Sequence, residues 1–161
     1  METIKIVFFE YILGFALQSF AIILGIYVFN RQKVILKEYI VTSSIMTIIS
    51  LLVRLLPITI GVHTILNMLF IYLICVLLLK MPAYTTIRSS LMCIVLVLIC
   101  EMIVTTIMMA FIGKEQFEKY IENSMQRSYV GVLANIIFAV IVIFSYLIVK
   151  KKGDSHRSIS S

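Results

Sequence analysis

Long apolar runs alternate with short polar segments along the whole chain, and this pattern predicts five helices that cross a membrane. Lipid offers the backbone no hydrogen bonds, so only helices and closed barrels cross it, and the unbroken runs lack the alternation of barrel strands. A helix needs about 20 residues to cross a hydrocarbon core of roughly 30 Å. The runs of suitable length are residues 8–30, 38–56, 62–80, 88–112 and 128–149.

The composition supports the same environment. Of the 161 residues, 61% are hydrophobic and 14% are charged, and the mean hydropathy is +1.10. So few polar residues cannot cover the surface of a soluble globule. We therefore expect an all-α, polytopic integral membrane helix bundle over residues 1–152 and a short polar cytoplasmic tail over residues 153–161. Membrane lipid is the expected partner of the helix faces, and the cell membrane is the expected location.

The distribution of positive charge predicts the orientation. The first loop holds three lysines and arginines, the third loop two and the C-terminal tail four, whereas the N-terminal end, the second loop and the fourth loop hold one, one and three. Loops rich in lysine and arginine favour the cytoplasmic side. The N-terminus is therefore expected outside and the C-terminus in the cytoplasm. A re-entrant first segment is the alternative, and it would move the N-terminus inside.

Several functional classes find little support in the residue patterns. The net charge of +6 arises from short basic loops, whereas a nucleic-acid-binding protein needs a continuous basic surface. There is no HExxH motif and no P-loop, and the single aspartate, Asp154, lies in the tail. Cys75, Cys93 and Cys100 fall within apolar runs and lack metal-ligand spacing. We expect no nucleic-acid partner, no catalytic residue, no metal and no other cofactor.

A proline and a glycine interrupt the apolar pattern between the second and third predicted spans. Pro57 lacks the amide proton that a helix interior needs, and Gly61 tolerates the backbone angles of a tight turn. These two residues are therefore predicted to form a hinge between two helices. In the expected orientation, the hinge faces outward.

Polar residues in the outer half of the predicted bundle form the candidate site. An ionisable group inside a bilayer is costly, so it needs a partner or a function. Helical rise places Arg54 roughly 24 Å and Glu101 roughly 18 Å from the inner ends of their helices, a difference that long side chains can bridge. Asn67 lies one turn beyond His63 on the same face. Two interpretations stay open: an ion pair that only holds helices together, or a pocket for an external ligand. The candidate residues are Glu10, Arg54, His63, Asn67 and Glu101.

The polar segment 114–127 is the longest predicted loop. Phe117, Tyr120, Ile121 and Met125 recur there at helical spacing. This spacing predicts a short amphipathic helix. That helix is expected either in the membrane interface or as a solvated connector between two spans.

The polar motifs resemble those of a known family. They are FEYIL at 9–13, RQK at 31–33, RLLP at 54–57, GVHT at 61–64, and Glu101. Together they resemble the N-terminal membrane region of accessory-gene-regulator-type, peptide-sensing histidine kinases of clostridia and related Firmicutes. In that family the membrane region receives an extracellular peptide and passes the signal to a cytoplasmic kinase module. The resemblance spans most of the chain, which departs from the pattern after Lys152, where no phosphoacceptor helix or ATP-binding domain follows.

Three functional hypotheses follow. The first, which the resemblance implies, is a non-enzymatic sensor that binds an extracellular peptide or lipid-like signal and acts through a partner membrane protein or a histidine kinase. The second is the substrate-binding membrane subunit of a small-solute importer, which needs an energising partner. The third is a structural or assembly protein whose buried charges only hold its helices together. We take the first as the expectation.

Overall fold

The described part of the chain is a bundle of six helices. The structure, a computed structural model, describes the backbone of residues 14–55, 60–122 and 124–158, and the side chains of residues 14–53, 65–121 and 129–151. These ranges contain no strand, so the all-α fold class is confirmed for them. The helices are α1 (Phe15–Phe29), α2 (Leu36–Leu55), α3 (Ile60–Leu77), α4 (Ala83–Ile112), α5 (Lys114–Glu122) and α6 (Ser124–Ser158).

Three of these helices are long and apolar enough to cross a membrane. The qualifying segments are Leu36–Val53 of α2, Ala83–Ile112 of α4 and Tyr129–Lys151 of α6. Shorter apolar segments lie at Phe15–Phe29 and Ile65–Leu77. Only 22% to 33% of each long segment is buried inside the bundle. Most of their apolar side chains therefore face outward, as in a protein that lipid surrounds.

The helix boundaries differ from the predicted spans at the polar junctions. α4 begins at Ala83, directly after Pro82, and so includes five residues before the predicted start at 88. Its first backbone hydrogen bond runs from the Thr86 amide to the Pro82 carbonyl, at 3.0 Å. α3 begins at Ile60, so Gly61 lies in its first turn. Pro57 lies outside the described residues, and the hinge stays a prediction.

The last helix is longer than the predicted fifth span. α6 runs from Ser124 to Ser158, whereas the predicted span covers residues 128–149. The charged and polar residues after Val149 therefore continue the helical backbone. A helix can extend beyond a hydrocarbon core because its backbone hydrogen bonds are internal and do not depend on the solvent.

α1 is the central helix, on which three of the other helices pack. It contacts α2, α4 and α6, while α3 packs against both α2 and α4. Eight of the fifteen residues of α1 are buried. The helix has no charged residue and is hydrophobic on every side, which is typical of a helix surrounded by other helices. The buried residues are Ser19, Ala21, Ile22, Ile23, Gly25, Ile26, Tyr27 and Val28.

The predicted amphipathic segment forms α5 and packs on the bundle. Phe117 is only 2% exposed, and Tyr120 and Ile121 are half-buried. The charged residues of the first two turns are exposed, and α5 contacts α4 and α6. The predicted helical spacing is confirmed for these three apolar residues, whereas the Met125 side chain lies outside the described ones. The interfacial and solvated locations both remain predictions.

Candidate functional site

The outward polar cluster predicted from the sequence is only partly described. Glu10 lies outside the described backbone, and the side chains of Arg54 and His63 lie outside the described side chains, although their backbones belong to α2 and α3. The structure describes the side chains of the other two members, Asn67 and Glu101. The burial of these two side chains determines which partners each of them can bind.

Asn67 lies on α3 with its side-chain carbonyl buried. The residue as a whole is half-buried, and its Oδ1 has no hydrogen-bond partner among the described residues. A buried polar atom without a partner costs about 1–3 kcal/mol. This oxygen is therefore available to a hydrogen-bond donor, supplied either by a ligand or by a side chain outside the described ones.

Glu101 lies on the outer surface of α4. The preceding residue, Cys100, is 1% exposed, whereas Glu101 and the following Met102 are exposed. The rise of a helix puts Glu101 roughly 27 Å from the first residue of α4 and roughly 16 Å from its last. It therefore lies well inside a segment long and apolar enough to cross a membrane. A carboxyl group that faces lipid at such a depth is costly.

Asn67 and Glu101 lie at different levels of the bundle. α3 and α4 pack against each other and are joined by the short segment 78–82. Counted from that segment, Asn67 lies roughly 15 Å along α3 and Glu101 roughly 27 Å along α4. A separation of roughly 12 Å along the bundle is too large for a direct hydrogen bond. In addition, Asn67 Oδ1 is buried inside the bundle, whereas Glu101 lies on its outer surface.

A groove of about 490 Å³, lined by polar and apolar residues alike, lies between α1, α4 and α6, at the end of the bundle where α1 ends and α4 begins. Apolar residues of the same three helices complete its lining, among them Met92, Ile148 and Val149. The first loop, the start of α4 and the last apolar turns of α6 meet here. The polar lining residues are Asn30, Arg31, Thr85, Arg88, Ser89 and Ser145.

Asn30 joins the end of α1 to the start of α4 in this groove. Its Nδ2 donates to Met81 Sδ at 3.5 Å, and its Oδ1 accepts from Ser89 Oγ at 2.6 Å. Ser89 Oγ also lies within hydrogen-bonding distance of the Thr85 carbonyl, and its single proton serves one of these acceptors at a time. The network ties the first loop to the segment between α3 and α4.

Two arginines flank the groove. Arg31 follows the end of α1 in a left-handed conformation, with φ of +52°, and Gln32 closes the turn by donating its amide to the Tyr27 carbonyl at 3.0 Å. Such a turn is a common way to end a helix. Arg88 lies in the second turn of α4, and both arginines are exposed. In the described part of the chain, no carboxylate pairs with either guanidinium.

The sequence contains a signal for this groove that the predicted site does not include. Thr85, Arg88, Ser89 and Met92 follow the spacing i, i+3, i+4 and i+7, which places them on one face of α4. The distribution of lysine and arginine predicts only the orientation of the chain in the membrane. The polar face that Arg88 shares with Thr85 and Ser89 is a second signal, and it indicates the groove. The contribution of Ser145 depends on how α6 packs, and the sequence does not indicate it.

The three cysteines lie in the core. Cys75 and Cys93 are 0% exposed and Cys100 is 1% exposed, and none forms a disulfide. Cys93 Sγ lies 3.8 Å from the Ile22 carbonyl oxygen, within reach of a weak thiol hydrogen bond across the helix pair. The described residues contain no cluster of three or more His, Cys, Asp or Glu side chains that could hold a metal ion.

Comparison of the chain with models of protein families, with characterised proteins and with solved structures gives no match.

Proposed function

We propose that this chain is a sensor-like integral membrane protein, without catalytic activity of its own, that binds an extracellular peptide or lipid-like signal and acts through a partner membrane protein or a histidine kinase. In this proposal five helices cross the cell membrane, with the N-terminus outside and the C-terminus in the cytoplasm. The observation that carries the proposal is Glu101, a carboxyl group on the outer surface of a helix long and apolar enough to span a membrane.

The exposed carboxyl group of Glu101 is evidence for a partner helix that packs against α4. At the centre of a bilayer, an ionisable side chain costs about 2.5–3.5 kcal/mol or more, and such groups usually face protein or water. A partner helix that carries a hydrogen-bond donor or a positive charge relieves this cost. Leu98 and Met102, on either side of Glu101, are 51% and 69% exposed, so they offer apolar contact around the polar one.

The side-chain carbonyl of Asn67, which has no hydrogen-bond partner among the described residues, supports the presence of a ligand inside the bundle. A peptide ligand carries backbone amides, which are the donors that this oxygen lacks among the described residues. The resemblance of the hinge motifs to the membrane region of peptide-sensing kinases points to the same ligand class. Glu10, Arg54 and His63 belong to this proposed pocket through the sequence prediction.

The basic end of the bundle supports the orientation. Arg31 from the first loop, Arg88 from α4 and Val149, next to Lys150, line one groove. The segments that hold nine of the fourteen lysines and arginines therefore meet at that end. Positively charged segments favour the cytoplasmic side. The opposite end, toward which Asn67 and Glu101 lie, then faces outward.

A photocrosslinking amino acid at position 102 tests the partner. In the cell that produces the protein, we expect it to capture one membrane protein, and we expect Glu101→Leu to abolish the capture. The same amino acid at Val140, which is 62% exposed on α6, is the matched control and should not capture that protein. Equal capture from both positions contradicts the proposal. If the captured protein is the ATPase assembly of a small-solute importer, the sensor proposal is wrong and the chain is the substrate-binding subunit of that importer.

Asn67→Leu tests the ligand pocket. We expect the variant to fold, because replacing an unpaired buried polar group by an apolar one of similar size is nearly neutral. The response of the producing cells to their own conditioned medium should be lost. Met68→Leu, at the neighbouring half-buried position, is the control and should keep the response. An unchanged response in Asn67→Leu excludes Asn67 from the pocket.

A further inference from the structure

We infer that the groove between α1, α4 and α6 binds the phosphate headgroup of an anionic phospholipid. The first ground is its charge. Arg31 and Arg88 both line the groove, and no carboxylate among the described residues neutralises either. A guanidinium presents several N–H donors in a plane and matches the oxygens of a phosphate group. Two such groups in the lining of one groove supply enough donors to bind a phosphate.

Two hydroxyl groups in the groove lining can accept hydrogen bonds from a ligand. Thr85 Oγ1 donates to the Pro82 carbonyl at 3.0 Å, and Ser145 Oγ donates to the Ile141 carbonyl at 2.8 Å. Their protons are therefore used within their own helices, while their oxygen lone pairs stay available. A headgroup that carries hydroxyl donors beside its phosphate, as in phosphatidylglycerol, fits this combination of cationic donors and neutral acceptors.

The apolar part of the lining indicates a lipid as the source of the phosphate. Met92 and Ile148 line the groove and are 45% and 47% exposed. They continue onto the exposed apolar faces of α4 and α6, where Val95 and Phe144 are 53% and 65% exposed. Acyl chains can follow these faces while the headgroup occupies the groove. A volume of about 490 Å³ lies in the usual range for a small-ligand site.

The location of the groove also fits a lipid headgroup. α6 passes from apolar residues to Lys150 and Lys151 beside Val149, which lines the groove. The groove therefore lies where two candidate membrane-spanning segments reach their polar ends. Lipid phosphates lie at this depth, just outside the hydrocarbon core.

Native mass spectrometry of the purified full chain in mild detergent tests the inference. The protein is supplied with either phosphatidylglycerol or zwitterionic phosphatidylcholine. We expect selective retention of phosphatidylglycerol and a loss of about tenfold or more in its affinity in the variant R31Q/R88Q, because the charge-assisted hydrogen bonds from two guanidinium groups to the phosphate are removed. The control K33Q/K37Q removes two exposed charges from the same loop region and should retain the lipid. An equal loss in the control, or equal retention of both lipids, overturns the inference.

A second arm separates the lipid from free phosphate. Inorganic phosphate is titrated into the lipid-free protein while thermal stability is followed, and the same is done with phosphatidylglycerol. Stabilisation by the lipid at far lower concentration, dependent on the two arginines, supports the lipid. Stabilisation by inorganic phosphate alone identifies a free anion as the ligand and overturns the lipid assignment.

A blocking variant keeps both arginines. Ser145→Phe fills the groove from α6 without changing charge and should also reduce phosphatidylglycerol binding. Thr106→Phe is the matched control, because its hydroxyl likewise bonds to the carbonyl four residues earlier and it lies outside the groove lining. Full lipid retention in Ser145→Phe contradicts the assignment of the groove.

Discussion

A Cβ atom on Gly25 would lie 2.7 Å from Cys93 Sγ and 3.6 Å from Val142 Cγ2. These three residues belong to α1, α4 and α6, so the missing side chain marks a place where three helices approach closely. Small residues allow such approach between apolar helices. Cys93 is 0% exposed, and its sulfur therefore has little space into which it can move.

Gly25→Ala should destabilise the protein. Overpacking of this kind typically costs about 1–3 kcal/mol. We expect a lower midpoint of thermal unfolding in detergent and a partial recovery in the double variant Gly25→Ala/Cys93→Ala, where the clashing sulfur is gone. Gly131→Ala is the control, since nothing lies within 4 Å of a Cβ at that position. If the two glycine variants unfold at the same temperature, the close approach at Gly25 is wrong.

Ser89→Ala should weaken the connection between α1 and α4. The variant leaves Asn30 Oδ1 without the hydroxyl that donates to it at 2.6 Å, and the expected cost is about 1 kcal/mol. Thermal unfolding measures it. Ser145→Ala removes a hydroxyl that bonds only within its own helix and should cost less than half as much. A double-mutant cycle with Asn30→Ala isolates the pair, and a coupling energy of zero would contradict the contact.

Phe117→Ala should release α5 from the bundle. Phe117 is 2% exposed and is the most buried of the described side chains of that helix, and a buried phenylalanine is worth about 3 kcal/mol or more over alanine. We expect faster limited proteolysis within residues 114–122 without loss of the remaining helices. Glu118→Ala, at the exposed neighbouring position, should leave the cleavage rate unchanged. Equal rates in the two variants would mean that α5 is not anchored through Phe117.

The three cysteines should resist a water-soluble maleimide in the folded protein. Each is at most 1% exposed, and none is tied up in a disulfide. Mass spectrometry should find no adduct before denaturation and three adducts after it in SDS. Lys33→Cys places a thiol in the exposed first loop and should react at once. Rapid labelling of any native cysteine would contradict its position in the core.

The amphipathic segment shows how far the sequence alone can predict packing. Phe117, Tyr120 and Ile121 fall on one face by spacing, and that face is the buried one. The prediction works because α5 has a polar side and an apolar side, so only one rotation about its axis buries the apolar side.

Glu101 shows where that reasoning ends. The sequence indicates that this carboxyl group lies within an apolar helix and that it needs a partner, but the outward direction of the side chain does not follow from the sequence. Beyond its first turns, α4 is apolar on every side, so its hydrophobic pattern favours no rotation about the helix axis. The packing of α4 against α1, α3 and α6 decides it.

The sequence by itself determined the class of this protein and the approximate extent of its helices. The length of an apolar run can be compared directly with the thickness of a membrane, and proline and charge mark its ends. Only the tertiary structure decided which faces meet: Gly25 against Cys93, Asn30 against Ser89, and Glu101 toward the outside. α1 is hydrophobic all round, so the contacts among its neighbours, which are distant in sequence, select one arrangement from many that are equally apolar.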